Sequence, residues 1–198
     1  MLFFIYCRDR PGTQDLRPRL AEAHWAYMDP YEAQMVARGP TLSADGEAMT
    51  GSLHIIGLPD LATARRYVVE EPFHGAGVYE AVDLLVWDDA LGRTMWDFRS
   101  AATDPIRFLV ISHANGDEPE PSLLDRLRAE WRAAPELIAA GFLRSPDDGR
   151  WAGFAMLAEV PDESAARRLV EASAAGLHGP ASEVEVHRWR FGGRPAAR

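Results

Sequence analysis

The stretch "PDLATARRYV" at residues 59–68 returns as "PDESAARRLV" at residues 161–170, with six of ten positions identical. Working outward from this pair, adding 102 to every number from Gly39 to Trp87 aligns 49 positions without a gap, and 13 of them are identical. Average residue usage would give about three. The shared set runs from Gly39/Gly141 through Asp60/Asp162 and Arg65/Arg167 to Trp87/Trp189. The chain therefore reads as two copies of one unit.

The first copy gives the order of elements. "LFFIYCR", residues 2–8, is an apolar run closed by "DRPG" and reads as a buried strand followed by a loop. From Leu16 to Arg38 the apolar residues Leu20, Ala23, Tyr27, Tyr31 and Met35 fall at helical spacing. Pro30 should kink or restart that helix with Asp29 capping the new turn, and a short strand is expected near "MVARGP". Next come a strand over Thr50 to Leu58, a helix capped by Asp60 and stopped before Pro72, and the long strand "GVYEAVDLLVWDD". Strand, helix, two strands, helix and strand is the ferredoxin-like βαββαβ order.

In the second copy "IRFLVISH", "WAGFAMLAEV" and "EVEVHRWRF" read as strands, and "LLDRLRAEWRAAPELIAAGF" and "DESAARRLVEASA" as helices. The expected division is a first domain over 1–90, a linker with a short helix over 91–105, a degenerate second repeat over 106–191, and a disordered tail over 192–198.

Composition sets the outer bounds. The 198 residues are 47% hydrophobic, enough for a sizeable core, and no apolar run approaches the roughly 18 residues of a membrane-spanning helix. A soluble, cytoplasmic protein is expected. Its net charge of −9 would repel nucleic acid and anionic membrane, so neither is expected as a partner. One cysteine, Cys7, allows no internal disulfide and no cysteine-cluster metal site, and its apolar setting reads as a small core residue. No phosphate-binding or dinucleotide fingerprint is present, no metal-ligand spacing links the histidines, and no cofactor is expected.

The motifs "FFIYCRDRPG", "AEAHWAYM", "ARGPTLSADGEAMTGSLHI" and "EEPFHGAGVYEAVDLLVW", in that order over about residues 2–88, resemble the YCII-related (YciI-like) family of small dimeric α+β barrel proteins. The resemblance implies two ferredoxin-like units with their sheets face to face and a pocket between sheet and helices. Each sheet has an apolar face that one unit cannot hide, and ordinary members of the family cover it with a second chain. Here the second copy is on the same chain. The expected fold class is therefore α+β: tandem ferredoxin-like repeats packed sheet to sheet as an intramolecular pseudo-dimeric α+β barrel, either a monomeric pseudo-dimer or a homodimer of such chains.

The resemblance also implies an acid/base pair, falling on His24 and on Glu71, where the family has the shorter Asp. An imidazole suits that work because it both accepts and returns a proton near neutral pH. Read without the family, His24 lies on or beside the buried stripe of its helix as a core histidine, and Glu71 follows Glu70 as a solvated acid. Strand alternation puts His54 on the face of Ser52 and Ile56, either lining a pocket or on the surface. His74 is expected on an exposed loop. Tyr27, Tyr31 and Phe73 either wall an aromatic substrate or pack in the core, and the expected substrate-binding set is Tyr27, Ser52, His54 and Phe73.

The resulting expectation is a cofactor-independent enzyme acting on a small ring compound by lyase or isomerase chemistry, the alternative being a non-catalytic ligand-binding or accessory protein. His24 should face a pocket within hydrogen-bond reach of Glu71. The second half should be a structural partner without such a site: 102 positions beyond His24 stands Arg126, with a shift of a residue or two allowed, and beyond Glu71 stands Ser173.

Overall fold

The computed structural model describes residues 1–100, 102–103, 105–114, 117–174 and 183–194. The elements in chain order are β1 (Leu2–Asp9), α1 (Leu16–Met28), β2 (Met35–Leu42), β3 (Met49–Gly57), α2 (Leu61–Glu70), α3 (Pro72–Gly75), β4 (Tyr79–Asp89), β5 (Arg107–His113), α4 (Pro121–Ala133), β6 (Leu137–Arg144), β7 (Trp151–Glu159), α5 (Glu163–Ala174) and β8 (Val184–Trp189). Among the described residues no helix is long and apolar enough to cross a membrane.

The strands close into one barrel in the order β1-β3-β2-β8-β5-β7-β6-β4. Read as halves, this is 4-1-3-2 joined to 8-5-7-6: two ferredoxin-like sheets facing one another, with the edge strand of each hydrogen-bonded to the other. All pairings are antiparallel. The seams are β4 with β6, from Val86 opposite Arg144 to Asp89 opposite Gly141, and β2 with β8, where Thr41 faces Trp189 and Leu42 faces Arg188. The barrel closes because each edge strand has a partner, which removes the exposed edges an open sheet would leave.

Alternation sorts the side chains. Phe4, Tyr6, Leu53, Ile55 and Trp87 from the first half meet Leu109, Ile111, Leu157 and Trp189 from the second inside the barrel. The opposite faces pack under the helices: Phe3, Ile5 and Ile56 with Tyr67 and Phe73 on one side, Phe108, Phe142 and Phe154 with Trp131 on the other. One end of the barrel interior carries an ionic group in which Glu185 accepts from Arg8, His113 and His187, and Arg8 also pairs with Asp83. Cys7 packs beneath the helices of the first half, where burial pushes its thiol pKa up.

The junctions reuse two residues of the repeat. A side chain on Gly141 would overlap the indole of Trp87, and one on Gly39 would meet Arg190 O and the indole nitrogen of Trp189. Gly39/Gly141 and Trp87/Trp189 thus form the same close approach at both seams, each pairing one half with the other. The repeat also survives in the element bounds: β6 and β7 match β2 and β3 in length at a constant offset of 102.

Several local expectations are corrected. The first helix ends at Met28, Asp29–Gln34 form a 3₁₀ segment, and Met35 opens β2. Asp29 does not cap a new helix; its carboxylate binds Arg194. Asp60 does cap α2, accepting from the Thr63 N–H at 2.7 Å. The run "PELIAAGF" is strand rather than helix: Pro135 disfavours helical geometry at Ala134, where α4 stops, and Leu137 begins β6. No helix occupies the described part of 91–105. Instead Asp97 closes a turn on Thr94, and Met95 is buried in the barrel core. Residues 192–194 are not a disordered tail, since Gly192 N–H donates to Arg38 O and Arg194 binds Glu22 and Asp29. Residues 195–198 lie outside the described set.

Candidate functional site

A cavity of about 870 Å³ lies between α1 and the helix-facing side of β2 and β3, bounded by Phe73 of α3 and roofed by residues 190–194. Three kinds of local structure put side chains into it. Helical spacing places Arg17 and His24 two turns apart on one face of α1. Strand alternation places Ser52 and His54 on one side of β3, with Arg38 of β2 directly opposite His54. The short α3 begins with Pro72 just after α2 ends and carries Phe73 under α1.

His24 and Glu71 meet. The Nδ1 of His24 is 2.6 Å from Glu71 Oε1, and Glu71 Oε2 accepts the His74 N–H at 3.0 Å, so one carboxylate both orients the histidine and caps α3. Glu71 is 2% exposed, not a solvated acid. Burial pushes its pKa upward, but the hydrogen bond and charge of His24 and a backbone N–H outweigh this, so it titrates below the ordinary value and is ionised near neutral pH. An ionised carboxylate can only accept, so Nδ1 of His24 carries the shared proton. In the neutral form of the ring, Nε2 is then the nitrogen with a lone pair, and the ring lines the cavity.

The neighbours hold that ring in place. Phe73 stacks on it at 4.4 Å, and His54 lies 6.0 Å away, inclined at 25°. His54 is buried, against the surface alternative. Burial first, and the charge of His24 second, push its pKa down to about 3, so it stays neutral. Arg17 is held by Asp9 through two bonds of 2.6 Å and donates to Ser52 Oγ at 3.0 Å, while Tyr79 OH donates to the same Ser52 oxygen at 3.2 Å.

Of the substrate-binding residues expected from sequence, Ser52, His54 and Phe73 line the cavity and Tyr27 does not. Tyr27 donates instead to the backbone carbonyl of Tyr67 and packs with Tyr31 and Tyr67, its phenol pKa pushed up by burial. His74 sits in α3, half-buried. Sequence reasoning missed Arg17, Arg38 and the roof. A signal for the arginines was available: Arg17 is seven residues before His24, and Arg38 stands inside a strand-like run. Both are charges at inward positions, and buried charges require partners. Among the described residues no group of three or more His, Cys, Asp or Glu could hold a metal ion.

Among the described residues, the corresponding place in the second half is filled by buried apolar side chains. Arg38, Ser52 and His54 correspond at offset 102 to Ala140, Phe154 and Met156, all buried in the apolar cluster. The inward residues Arg17, Leu20, Ala21 and His24 of α1 match Leu124, Leu127, Arg128 and Trp131 of α4 at offset 107, because the intervening loops differ in length. His24 therefore corresponds to Trp131 rather than Arg126, whose exposed side chain pairs with Glu130.

The YCII-related domain family matches residues 1–88. A curated relative, an uncharacterized protein of Haemophilus influenzae, is 29% identical over 89 residues, covering 41% of this chain and 91% of its own. Among solved structures, the 5-chloro-2-hydroxyhydroquinone dehydrochlorinase of Burkholderia phenoliruptrix AC1100, determined with 2,5-dihydroxybenzoquinone, is 37% identical, with 44% of this chain and 94% of that chain covered at a TM-score of 0.43. A candidate chlorite dismutase matches nearly the whole chain, with 96% of this chain and 94% of that one covered, TM-score 0.51 and 16% identity. A candidate monooxygenase of Fusobacterium nucleatum covers 96% and 91%, with TM-score 0.50 and 5% identity. These two share the fold across both halves, the dimeric α+β barrel architecture.

Proposed function

We propose, from the premise that the chain belongs to the YCII-related family through residues 1–88, that it is a cofactor-independent enzyme moving a proton on a small ring compound, with His24 as general acid/base and Glu71 as the residue that positions it. The observation that carries this reading is the 2.6 Å bond from a buried, ionised Glu71 to Nδ1 of a histidine lining a cavity. Glu71 fixes the tautomer and stabilises the imidazolium formed in turnover.

In the step this suits, Nε2 takes the proton of a ring hydroxyl while the oxygen's electron pair closes a C=O bond. The displaced ring π-electron pair moves to a ring carbon, which receives the proton back from the imidazolium. That is an isomerisation. Where the protonated carbon also bears a halide, departure of the halide with its bonding pair and loss of a further proton complete an elimination. Ser52, His54 and Phe73 contact the ring. Each chain has one such site, the second half acting as a structural partner.

The first compound to try is a chlorinated trihydroxybenzene, the class named for the Burkholderia relative, with released chloride and ring absorbance followed together. His24→Ala should lower kcat by about 10² or more, the usual scale for general acid/base catalysis. A loss under about threefold in a variant that still folds would remove His24 from the chemistry.

A further inference from the structure

One buried cation in the cavity has no role in proton transfer. Arg38 is 8% exposed, yet its Nε has no hydrogen-bond partner. Its ion pair is a single approach of Nη2 to Glu32 Oε1 at 3.5 Å, longer than a charge-assisted hydrogen bond, and Glu32 is 57% exposed. Arg17, in the same cavity, shows what a satisfied arginine looks like: two bonds of 2.6 Å to a buried Asp9. Burying a guanidinium without a matching anion is costly, and a planar fork of donors in a pocket is suited to binding two oxygens at once.

Position and repeat point the same way. Arg38 faces His54 across β2 and β3, and the His54 ring is 6.0 Å from that of His24, so the arginine lies one side chain beyond the proton-transfer centre. Gly193 of the roof packs against its guanidinium, and the corresponding residue of the second half, which has no dyad, is Ala140.

We propose that Arg38 is the docking point for an anionic oxygen substituent, carboxylate or phenolate, on the ring whose proton His24 moves. This rests on the reading of the cavity as a His24 acid/base site and names its substrate class. The anion completes the donors of Arg38 and sets which ring atom stands before His24 Nε2.

The test measures binding without turnover. Titration calorimetry at pH 8 with benzoate, its neutral amide benzamide and 4-nitrophenolate, on wild type, Arg38→Ala, Arg38→Lys and His24→Ala, separates charge from shape and carboxylate from phenolate. Wild type should bind at least one anion more tightly than the amide. Arg38→Ala, the residue the second half carries, should weaken that anion about tenfold or more and leave the amide unchanged, with Arg38→Lys between. His24→Ala should keep the preference, so loss of activity in that variant tests the acid/base reading separately. Equal affinity of wild type for anions and amide, an unchanged anion affinity in Arg38→Ala, or no saturation of wild type by any of the three below about 10 mM would overturn the proposal.

Discussion

The indole of Trp131 donates to Ser173 Oγ at 3.0 Å in the position where, in the other half, the His24 ring meets Glu71. Both are ring N–H bonds from the helix after the first strand to the end of the second half-repeat helix. One pair is backed by Arg38, Ser52 and His54 beside a cavity, the other by Phe142 and Phe154 in contact with the indole. The same structural contact borders a cavity in one copy and belongs to core packing in the other.

Trp131→Ala should therefore be a stability change alone. It removes a 4%-exposed indole from the second core and leaves Ser173 without its donor, at a cost of about 3–5 kcal/mol. Urea unfolding should show that loss, while the folded fraction keeps wild-type affinity for ligands of the first-half cavity. A change in that affinity comparable to the effect of His24→Ala would contradict the division of roles.

Glu71→Gln keeps the shape of the side chain and an oxygen for the His74 N–H but removes the charge that fixes His24. Turnover should fall by roughly 10 to 10², with substrate KM moving much less. Glu71→Asp restores the charge with a shorter reach and should recover part of the loss. An intact rate in Glu71→Gln would show that the carboxylate serves only as a helix cap.

Acid should destabilise the fold through His54. Its folded pKa is pushed down to about 3, against 6.5 in the unfolded chain. Between those values the unfolded state holds a proton that the folded state lacks, so stability falls as pH drops through that window. From pH 6.5 to 5 the loss from this group is about 2 kcal/mol. Glu71 acts in the same direction lower down: its lowered folded pKa gives stability that is present above the ordinary carboxylate value and lost as pH falls through the folded one. His54→Met, the residue found at Met156, should flatten the decline from about pH 6.5 down to about pH 3 in melting experiments. An unchanged slope above pH 5 would place the acid sensitivity in other groups.

Gly141→Ala tests the seams. The added methyl would overlap the Trp87 indole, which is enclosed in the barrel core and has little room to retreat, so a cost of about 1–3 kcal/mol is expected. Trp87→Leu combined with Gly141→Ala should cost less than the sum of the two single changes, a coupling that unfolding measurements on all three variants would detect. Strict additivity would mean the two residues do not share the space.

What the sequence made legible was local or repeated. The likeness of "PDLATARRYV" to "PDESAARRLV" marked the duplication, Asp60 marked a cap that depends on Thr63 three residues away, and the His24 and Glu71 pairing followed from family motifs. What it concealed depended on distant partners. "PELIAAGF" is alanine-rich and reads as helix until β7 and β4 supply hydrogen bonds on both sides of it. "GGR" reads as a tail, yet the N–H of Gly192 and the charge of Arg194 are bound by residues from the beginning of the chain. The offset of 102 holds from β2 onward but not through the first helix, so the counterpart of His24 was sought at Arg126, five positions short.

The two seams of the barrel are unequal. The β4–β6 seam has four residue pairs and joins residues 52 to 58 positions apart, whereas β2–β8 has two, continued by the N–H groups of Arg190 and Gly192 on Pro40 O and Arg38 O, and joins Thr41 to Trp189, 148 positions apart. Contacts so far apart in sequence form late, because the chain entropy of bringing them together is largest. The barrel should be shut last at β2–β8, and local unfolding should start there. That late-closing seam leads straight into the Arg190–Arg194 roof, so the breathing of the fold should be concentrated at the doorway of its cavity.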